Sequence, residues 1–272
     1  PIVLTYQTKD HKGNTKKEEI IYSTNKFPTE IFSIKSKSIV YDHIPTINYI
    51  PNESPKIVVL NVKNTSKHVG YIDGAGDKLP EALVELGAQI TYLKEADITT
   101  ENLKGLDAIV VGIRAYNMYA YLSDKQAVLN EYIANGGNLI VQYLKSNQVG
   151  TQNIKIGPYP FTVNSGRRVT EENAKVTFVL PNHPVLNFPN KISDQDFNNW
   201  VQERSTYQAE NIDAHFQTPF QMSDTGEAPS LGSLLITPFG KGNFAYVSLA
   251  LFRQLPAGNP GAYKLFANLL SL

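Results

Sequence analysis

Two groups of polar side chains in this sequence have the types and positions to do chemistry. The first is spread along the chain. Asp73, Arg114, Tyr116, Asn117, Gln142, Tyr143, Arg253 and Gln254 each end or follow a short apolar run. An arginine grips a carboxylate or phosphate through two parallel N–H bonds. Tyr, Asn and Gln supply donors and acceptors suited to sugar hydroxyls. The second group is contiguous, Trp200-Val-Gln-Glu203-Arg204-Ser-Thr-Tyr207, and holds the only tryptophan. An aromatic face beside an acid, an amide and a guanidinium can stack on a sugar and hydrogen-bond it. Both groups also have a plain structural reading. Asp73 paired with Arg114 or Arg253 would brace loops, and Trp200 would be a packing anchor steadied by a Glu203–Arg204 pair.

Other chemistries find no support. Gly74-Ala-Gly76 resembles the start of a dinucleotide fingerprint, but the third glycine is missing. Asp73 and Asp77 also place negative charge where a pyrophosphate would sit. The glycines read better as the requirement of a tight strand-to-helix turn. There is no Walker A sequence and no Gly-x-Ser-x-Gly elbow. The absence of cysteine excludes disulfides, thiolate ligands and a cysteine nucleophile. His11, His43, His68, His183 and His215 show no metal-ligand spacing. Asp194-Gln-Asp196-Phe-Asn198 opens like a calcium loop, then has Asn199 where glycine is required and Ser205 where glutamate belongs. No metal and no cofactor is expected in this segment. The 25 basic and 25 acidic residues balance, and no basic stretch is interleaved with aromatics, so nucleic acid is not an expected partner. No apolar run approaches the roughly 18 residues of a membrane span.

The elements that would position these residues are legible from periodicity. Up to about residue 63 the chain reads as β, with strands at Ile2–Tyr6, Glu19–Tyr22, Ile31–Ile34 and Ile57–Val62 and turns at Gly13-Asn14 and 52–55. From residue 64 strand and helix alternate. Strands are expected at Val69–Ile72, Gln89–Leu93, Ala108–Gly112 and Leu139–Tyr143. A helix carries Leu79, Ala82, Leu83 and Leu86, capped by Asp77 and ended by Gly87. Leu103–Gly105 reads as a short helical link. A second helix carries Val128, Leu129, Tyr132 and Ile133 behind a Ser123 or Asp124 cap. After an irregular stretch from 149 to 235, strands at Ser233–Ile236 and Asn243–Ser248 and a helix over 260–270 close the domain. Short links between alternating elements imply an α/β fold, a parallel doubly wound sheet with helices on both faces. The expected division is a β-rich segment, 1–63, a flap or the remnant of an upstream domain, and an α/β domain, 64–272. In such sheets ligands bind beyond the carboxyl ends of the strands, where the first group of residues lies.

Several stretches resemble a known family. They are Gly70-Tyr-Ile-Asp-Gly-Ala-Gly-Asp77-x-x-Pro80-Glu-Ala-Leu83, Gly112-Ile-Arg-Ala-Tyr-Asn117, Gly137-Asn-Leu-Ile-Val-Gln-Tyr143, Trp200-Val-Gln-Glu-Arg204, and Leu251-Phe-Arg-Gln-Leu-Pro-Ala-Gly258 with the helix after it. Together, over most of residues 40–272, they resemble the C-terminal region of bacterial PIG-L/LmbE-type proteins. That region looks like a class I glutamine amidotransferase-like domain of flavodoxin-like architecture. The resemblance implies a longer protein whose N-terminal domain is a zinc deacetylase acting on N-acetylglucosamine-type sugars, and a periplasmic or secreted location. The chain opens directly on a strand-like run at Pro1 without a signal peptide, as a piece of such a protein would. The Ala-His-Pro-Asp-Asp zinc motif is absent, and the only His-Pro, at His183, continues Val185-Leu186. The turn after Leu139–Tyr143, where an amidotransferase carries its cysteine, holds Leu144-Lys145.

Three functions follow as expectations. One is a non-catalytic accessory or carbohydrate-binding domain, with a glycan or amino-sugar conjugate and the deacetylase domain as partners. Another is a hydrolase with an Asp/Glu/Arg site, Asp73, Glu203 or His183 serving as acid or base. The third is a structural or protein-interaction module.

Overall fold

The computed structural model describes residues 2–9, 15–22, 37–41, 43–49, 58–149, 152–163 and 166–272. The chain divides into two compact units, Pro1–Ile57 and Val58–Leu272. The first holds two antiparallel hairpins, β1 (Ile2–Lys9) with β2 (Thr15–Tyr22), and β3 (Lys37–Tyr41) with β4 (Ile44–Tyr49). β1 and β2 contain the first two expected strands. β3 and β4 were not anticipated, and the Ile31–Ile34 strand and both turns lie outside the described residues.

In the second unit the apolar runs become one six-stranded sheet. Its members are β5 (His68–Ile72), β6 (Gln89–Tyr92), β7 (Ala108–Val111), β8 (Asn138–Gln142), β17 (Leu234–Phe239) and β18 (Gly242–Val247). Between β8 and β17 run short pieces: β9 (Gln148–Val149), β10 (Gln152–Asn153), β11 (Thr162–Val163), β12 (Arg168–Val169), β13 (Val176–Phe178), β14 (Ser205–Thr206), β15 (Ala209–Glu210) and β16 (Phe220–Met222). The sheet order is β17-β18-β8-β7-β5-β6. All neighbours are parallel except the β17–β18 hairpin at one edge. Counted alone, the parallel strands run 2-1-3-4-5, the flavodoxin-like order. This is the α/β fold class expected from the sequence.

Alternate residues of each strand feed opposite faces. Val69, Tyr71, Val110, Ile140 and Val247 pack with α1 (Leu79–Glu85) and α6 (Pro260–Leu270) in one core. Ile72, Ile109, Val111, Val141 and Tyr246 pack with α4 (Gln126–Ala134) in the other. Both faces are thus covered, which is why β7 and β8 are buried at every position, β7 as an unbroken apolar run and β8 with polar residues only at its two ends, Asn138 and Gln142.

Local expectations needed three corrections. Residues 58–62 alternate in exposure like a strand, and Leu60 and Val62 lie on the first core, but the segment pairs with no strand among the described residues. Ser123 and Asp124 do not cap α4. They lie in a separate turn, α3 (Tyr121–Asp124), which buries Leu122, and α4 starts behind Lys125. Leu103–Gly105 is a hydrogen-bonded turn rather than a helix.

Candidate functional site

The sheet's switch point lies between β5 and β7, where chain connections depart in opposite directions and a crevice is expected. Here that crevice is closed. The Ala75 N–H donates to the Ile113 carbonyl at 2.8 Å, and the Gly112 N–H donates to Ile72 at 2.8 Å. Gly74 makes the approach possible, since a Cβ there would stand 2.2 Å from the Ile113 oxygen. Asp77 locks the arrangement. One oxygen accepts from the Tyr71 hydroxyl at 2.7 Å and from the Leu79 N–H at 3.0 Å, so Asp77 holds the first amide of α1 from one residue ahead of the N-cap, Lys78, rather than as the cap itself. The other accepts from the Ile113 N–H at 3.0 Å and the Gln142 amide at 3.3 Å. Burial, reinforced by Asp77, holds the Tyr71 hydroxyl well above its ordinary range. Gln142, a sequence candidate, is therefore buried within this clasp.

The polar residues converge one gap further along, over the carboxyl ends of β7, β8 and β18. The Arg114 N–H, on the loop after β7, donates to the Tyr143 carbonyl at the end of β8 at 2.8 Å. Tyr143 stacks obliquely on Tyr207 and Phe252, with ring centres 5.5 and 5.2 Å away. Phe252 and Arg253 lie on α5 (Leu251–Gln254), directly after β18. The segment 203–207 is bound to the same place. Its Thr206 N–H donates to Ser248, and the Ala250 N–H donates to the Arg204 carbonyl. β12 pairs with β14, setting Arg168 opposite Thr206.

These links bring Glu203 between two arginines. One oxygen takes Arg253 Nη1 at 3.0 Å, and the other takes Arg168 Nε at 3.1 Å together with a closer Nη2 contact. The hydrogen bond to Glu203 raises the Arg168 guanidinium above its ordinary range. Arg168 also lies over the Tyr207 ring, 5.8 Å from its centre, and Arg253 lies over Phe252 at 5.1 Å. Burial pushes the Tyr143 hydroxyl up, while the Arg114 and Arg253 charges pull it back. Arg114 itself is half-buried with Nε covered and unpartnered. Its guanidinium makes no hydrogen bond or ion pair among the described residues. Arg114 and Tyr207 also hold positive φ, 60° and 55°, a conformation that non-glycine residues keep only when their surroundings enforce it.

The remaining sequence candidates are placed elsewhere. Asp73 pairs with neither Arg114 nor Arg253. It accepts from the Gly74 N–H and lines a groove of about 440 Å³ with Tyr71, Glu81 and Tyr92. Tyr116 is buried, donating to Gln126 at 2.8 Å, and burial raises its hydroxyl. Asn117 braces the β8 loop through Ser146 and Lys145. Trp200 is core, stacked on Phe197 and donating to the Asp196 carbonyl. Arg204 is buried over the Trp200 ring and donates to the Ala174 and Phe197 carbonyls, and burial draws its pKa down to about 10. Glu203 thus pairs with Arg253 and Arg168 rather than with Arg204. Gln254 is buried and clamps the Val201 backbone from both ends of its amide. Arg168 was not anticipated. Its only signal was the Arg167-Arg168 doublet in an irregular stretch. A separate depression of about 610 Å³ lies at the opposite, amino end of the sheet, beside Asp107 and Asn138. Asp107 is occupied there with the Lys67 and His68 N–H groups. Among the described residues no cluster of His, Asp or Glu could hold a metal ion, and no helix is long and apolar enough to cross a membrane.

No protein-family model matches this chain, and no curated protein matches it. Solved structures do. A candidate GMP synthase component from Thermoplasma acidophilum is 13% identical with a TM-score of 0.46, over 76% of this chain and 93% of that one. A candidate ThuA-like protein from Bacteroides uniformis is 11% identical with a TM-score of 0.47, over 79% and 94%. A cold-adapted β-galactosidase from Rahnella sp. R3 is 12% identical with a TM-score of 0.44, over 78% of this chain but 32% of that one. Similarities at this level add nothing to what the strand order already shows.

Proposed function

We propose that this chain is a non-catalytic accessory module of a larger carbohydrate-active protein, and that it holds glycan at the carboxyl edge of its sheet. The observation that carries this reading is the half-buried Arg114, whose guanidinium has no partner among the described residues, on the loop bonded to Tyr143 of the Tyr143–Tyr207–Phe252 cluster. Aromatic faces next to unspent donors are what a sugar ring and its hydroxyls need. A hydrolase would need a carboxylate free to take a proton. Glu203, the one carboxylate in the cluster, has both oxygens engaged by arginines. Asp73 lies in a separate groove. The amidotransferase-like reading has no cysteine to act through. The resemblance to PIG-L/LmbE-type proteins supports a sugar deacetylase domain as the covalent neighbour, and a periplasmic or secreted setting.

A panel of neutral, amino and acidic sugars tests this by thermal shift and amide chemical shift. A ligand near saturation should stabilise the domain by about 1 kcal/mol or more, a rise of roughly 2–4 °C. Tyr207→Ala, at the half-buried ring, should abolish the rise. If no sugar moves either the melting point or the spectrum, the glycan reading is lost.

A further inference from the structure

The carboxyl edge carries more positive charge than it neutralises. Arg114, Arg168 and Arg253 all act on the Tyr143 hydroxyl. The one carboxylate among them, Glu203, is consumed by Arg168 and Arg253. Arg114 is left over. None of its five N–H donors has a partner among the described residues, and its Nε is also cut off from water. Its left-handed backbone is pinned in place by the bond to the Tyr143 carbonyl. A neutral hydroxyl would accept hydrogen bonds from Arg114 but leave its charge uncompensated. An anion does both, and charge-assisted bonds of this kind are about twice as strong as neutral ones.

We propose that the edge binds an acidic sugar, a ring bearing a carboxylate or a phosphate, with the anion on the terminal nitrogens of Arg114 and the ring against the half-buried Tyr207 and Phe252, which cover Tyr143. This rests on the glycan reading and narrows it to a ligand class. Glu203 acts here as a positioning residue. By engaging Arg168 and Arg253 with its two oxygens, it leaves Arg114 as the arginine of the cluster without a carboxylate partner among the described residues.

The test titrates the 272-residue chain with sodium D-glucuronate, D-glucose 6-phosphate and D-glucose, followed by calorimetry and amide chemical shifts. At least one anionic sugar should bind about tenfold more tightly than glucose. The advantage should shrink as salt rises from about 20 to 300 mM. The glucuronate and phosphate arms tell which anion is preferred. Arg114→Gln should remove the advantage, and Arg114→Lys, which keeps the charge without the planar fork, should retain part of it. The wild-type contrast between glucuronate and glucose stands even where a variant misfolds. Equal affinity for all three sugars overturns the acidic-sugar inference and leaves the glycan reading in place. So does an advantage that survives in a folded Arg114→Gln, or binding confined to neutral glycans of the wider panel. Failure of every sugar removes both.

Discussion

Glu203→Gln is the perturbation that best tests how the edge is held together. The Glu203 side chain is 4% exposed, whereas those of its partners Arg168 and Arg253 are 41% and 32% exposed. Removing one partner from a fully buried ion pair costs about 3–5 kcal/mol, because the other charge is stranded. Losing an exposed pair costs about 0–1 kcal/mol. Here the stranded groups are guanidiniums that can regain much of their hydration, so the cost falls between, at about 2–3 kcal/mol. Glutamine preserves the volume, so no cavity adds to it. Its amide also turns a donor toward one of the arginines. For a unit the size of residues 58–272 this corresponds to a melting point lower by roughly 4–12 °C. The assay is a calorimetric or circular-dichroism melt beside Glu101→Gln, which breaks the exposed Glu101–Lys104 pair and should move the midpoint by about 2 °C or less. Adding Arg253→Gln to Glu203→Gln should recover about 1 kcal/mol, since one uncompensated charge goes with it. A Glu203→Gln midpoint no lower than that of Glu101→Gln would refute the reasoning, and Glu203 would then be a passive surface-type pair.

Two further outcomes are expected. Gly74→Ala sets a Cβ 2.2 Å from the Ile113 oxygen and 2.7 Å from the Gly112 carbon, backbone atoms that cannot rotate away; urea unfolding should show a loss of about 2–3 kcal/mol, and an unchanged midpoint would mean the clasp is loose. Burial holds His183 below the usual imidazole value of 6.5, opposed by a hydrogen bond involving Gln217, while its Nδ1 accepts from the Val185 N–H as only the neutral ring can. The folded-state value is depressed, so stability should be complete above about pH 6.5 and fall as pH drops through the lower folded value. His183→Asn should flatten that decline in urea midpoints measured between about pH 7.5 and 5.

The sheet was legible because its signals are local. A doubly covered strand such as Ala108–Val111 is apolar at every position, and α6 carries its own start in Asn259-Pro260, whose side chain accepts from the Ala262 N–H. Residues 58–62 mislead for the same reason. Alternation records which side chains meet the core, and it says nothing about whether a partner strand exists. The edge site was legible in part. Arg114, Tyr143 and Arg253 could be placed because each follows a recognisable strand. Glu203 could not be assigned its partners. Arg168 and Arg253 reach it through the β12–β14 pairing and the Ser205–Leu249 bridge. Both connections are tertiary, and both cross a region with no periodicity to read. Trp200 beside Glu203-Arg204 suggested one site. The chain instead sends Trp200 and Arg204 into the core and Glu203 to the edge.

The closed switch point and the open edge are two consequences of one loop. The stretch Gly112-Ile113-Arg114 is held from both sides. Asp77 and Ala75 take the amide and carbonyl of Ile113, and the Tyr143 carbonyl takes the next amide, that of Arg114. A residue so constrained has little freedom to relax, which is how Arg114 is kept in a left-handed conformation that ordinarily costs a non-glycine residue about 1–2 kcal/mol. The clasp that fills the first crevice therefore sets the arginine at the rim of the second. Gly74→Ala and Arg114→Gln should then part company. Opening the clasp releases Ile113 and with it Arg114, so stability and acidic-sugar binding should fall together. Removing the guanidinium leaves the clasp intact, so binding should fall alone. If Gly74→Ala weakened the fold yet bound acidic sugar as before, Arg114 would owe its position to the Tyr143 bond and not to the closed switch point.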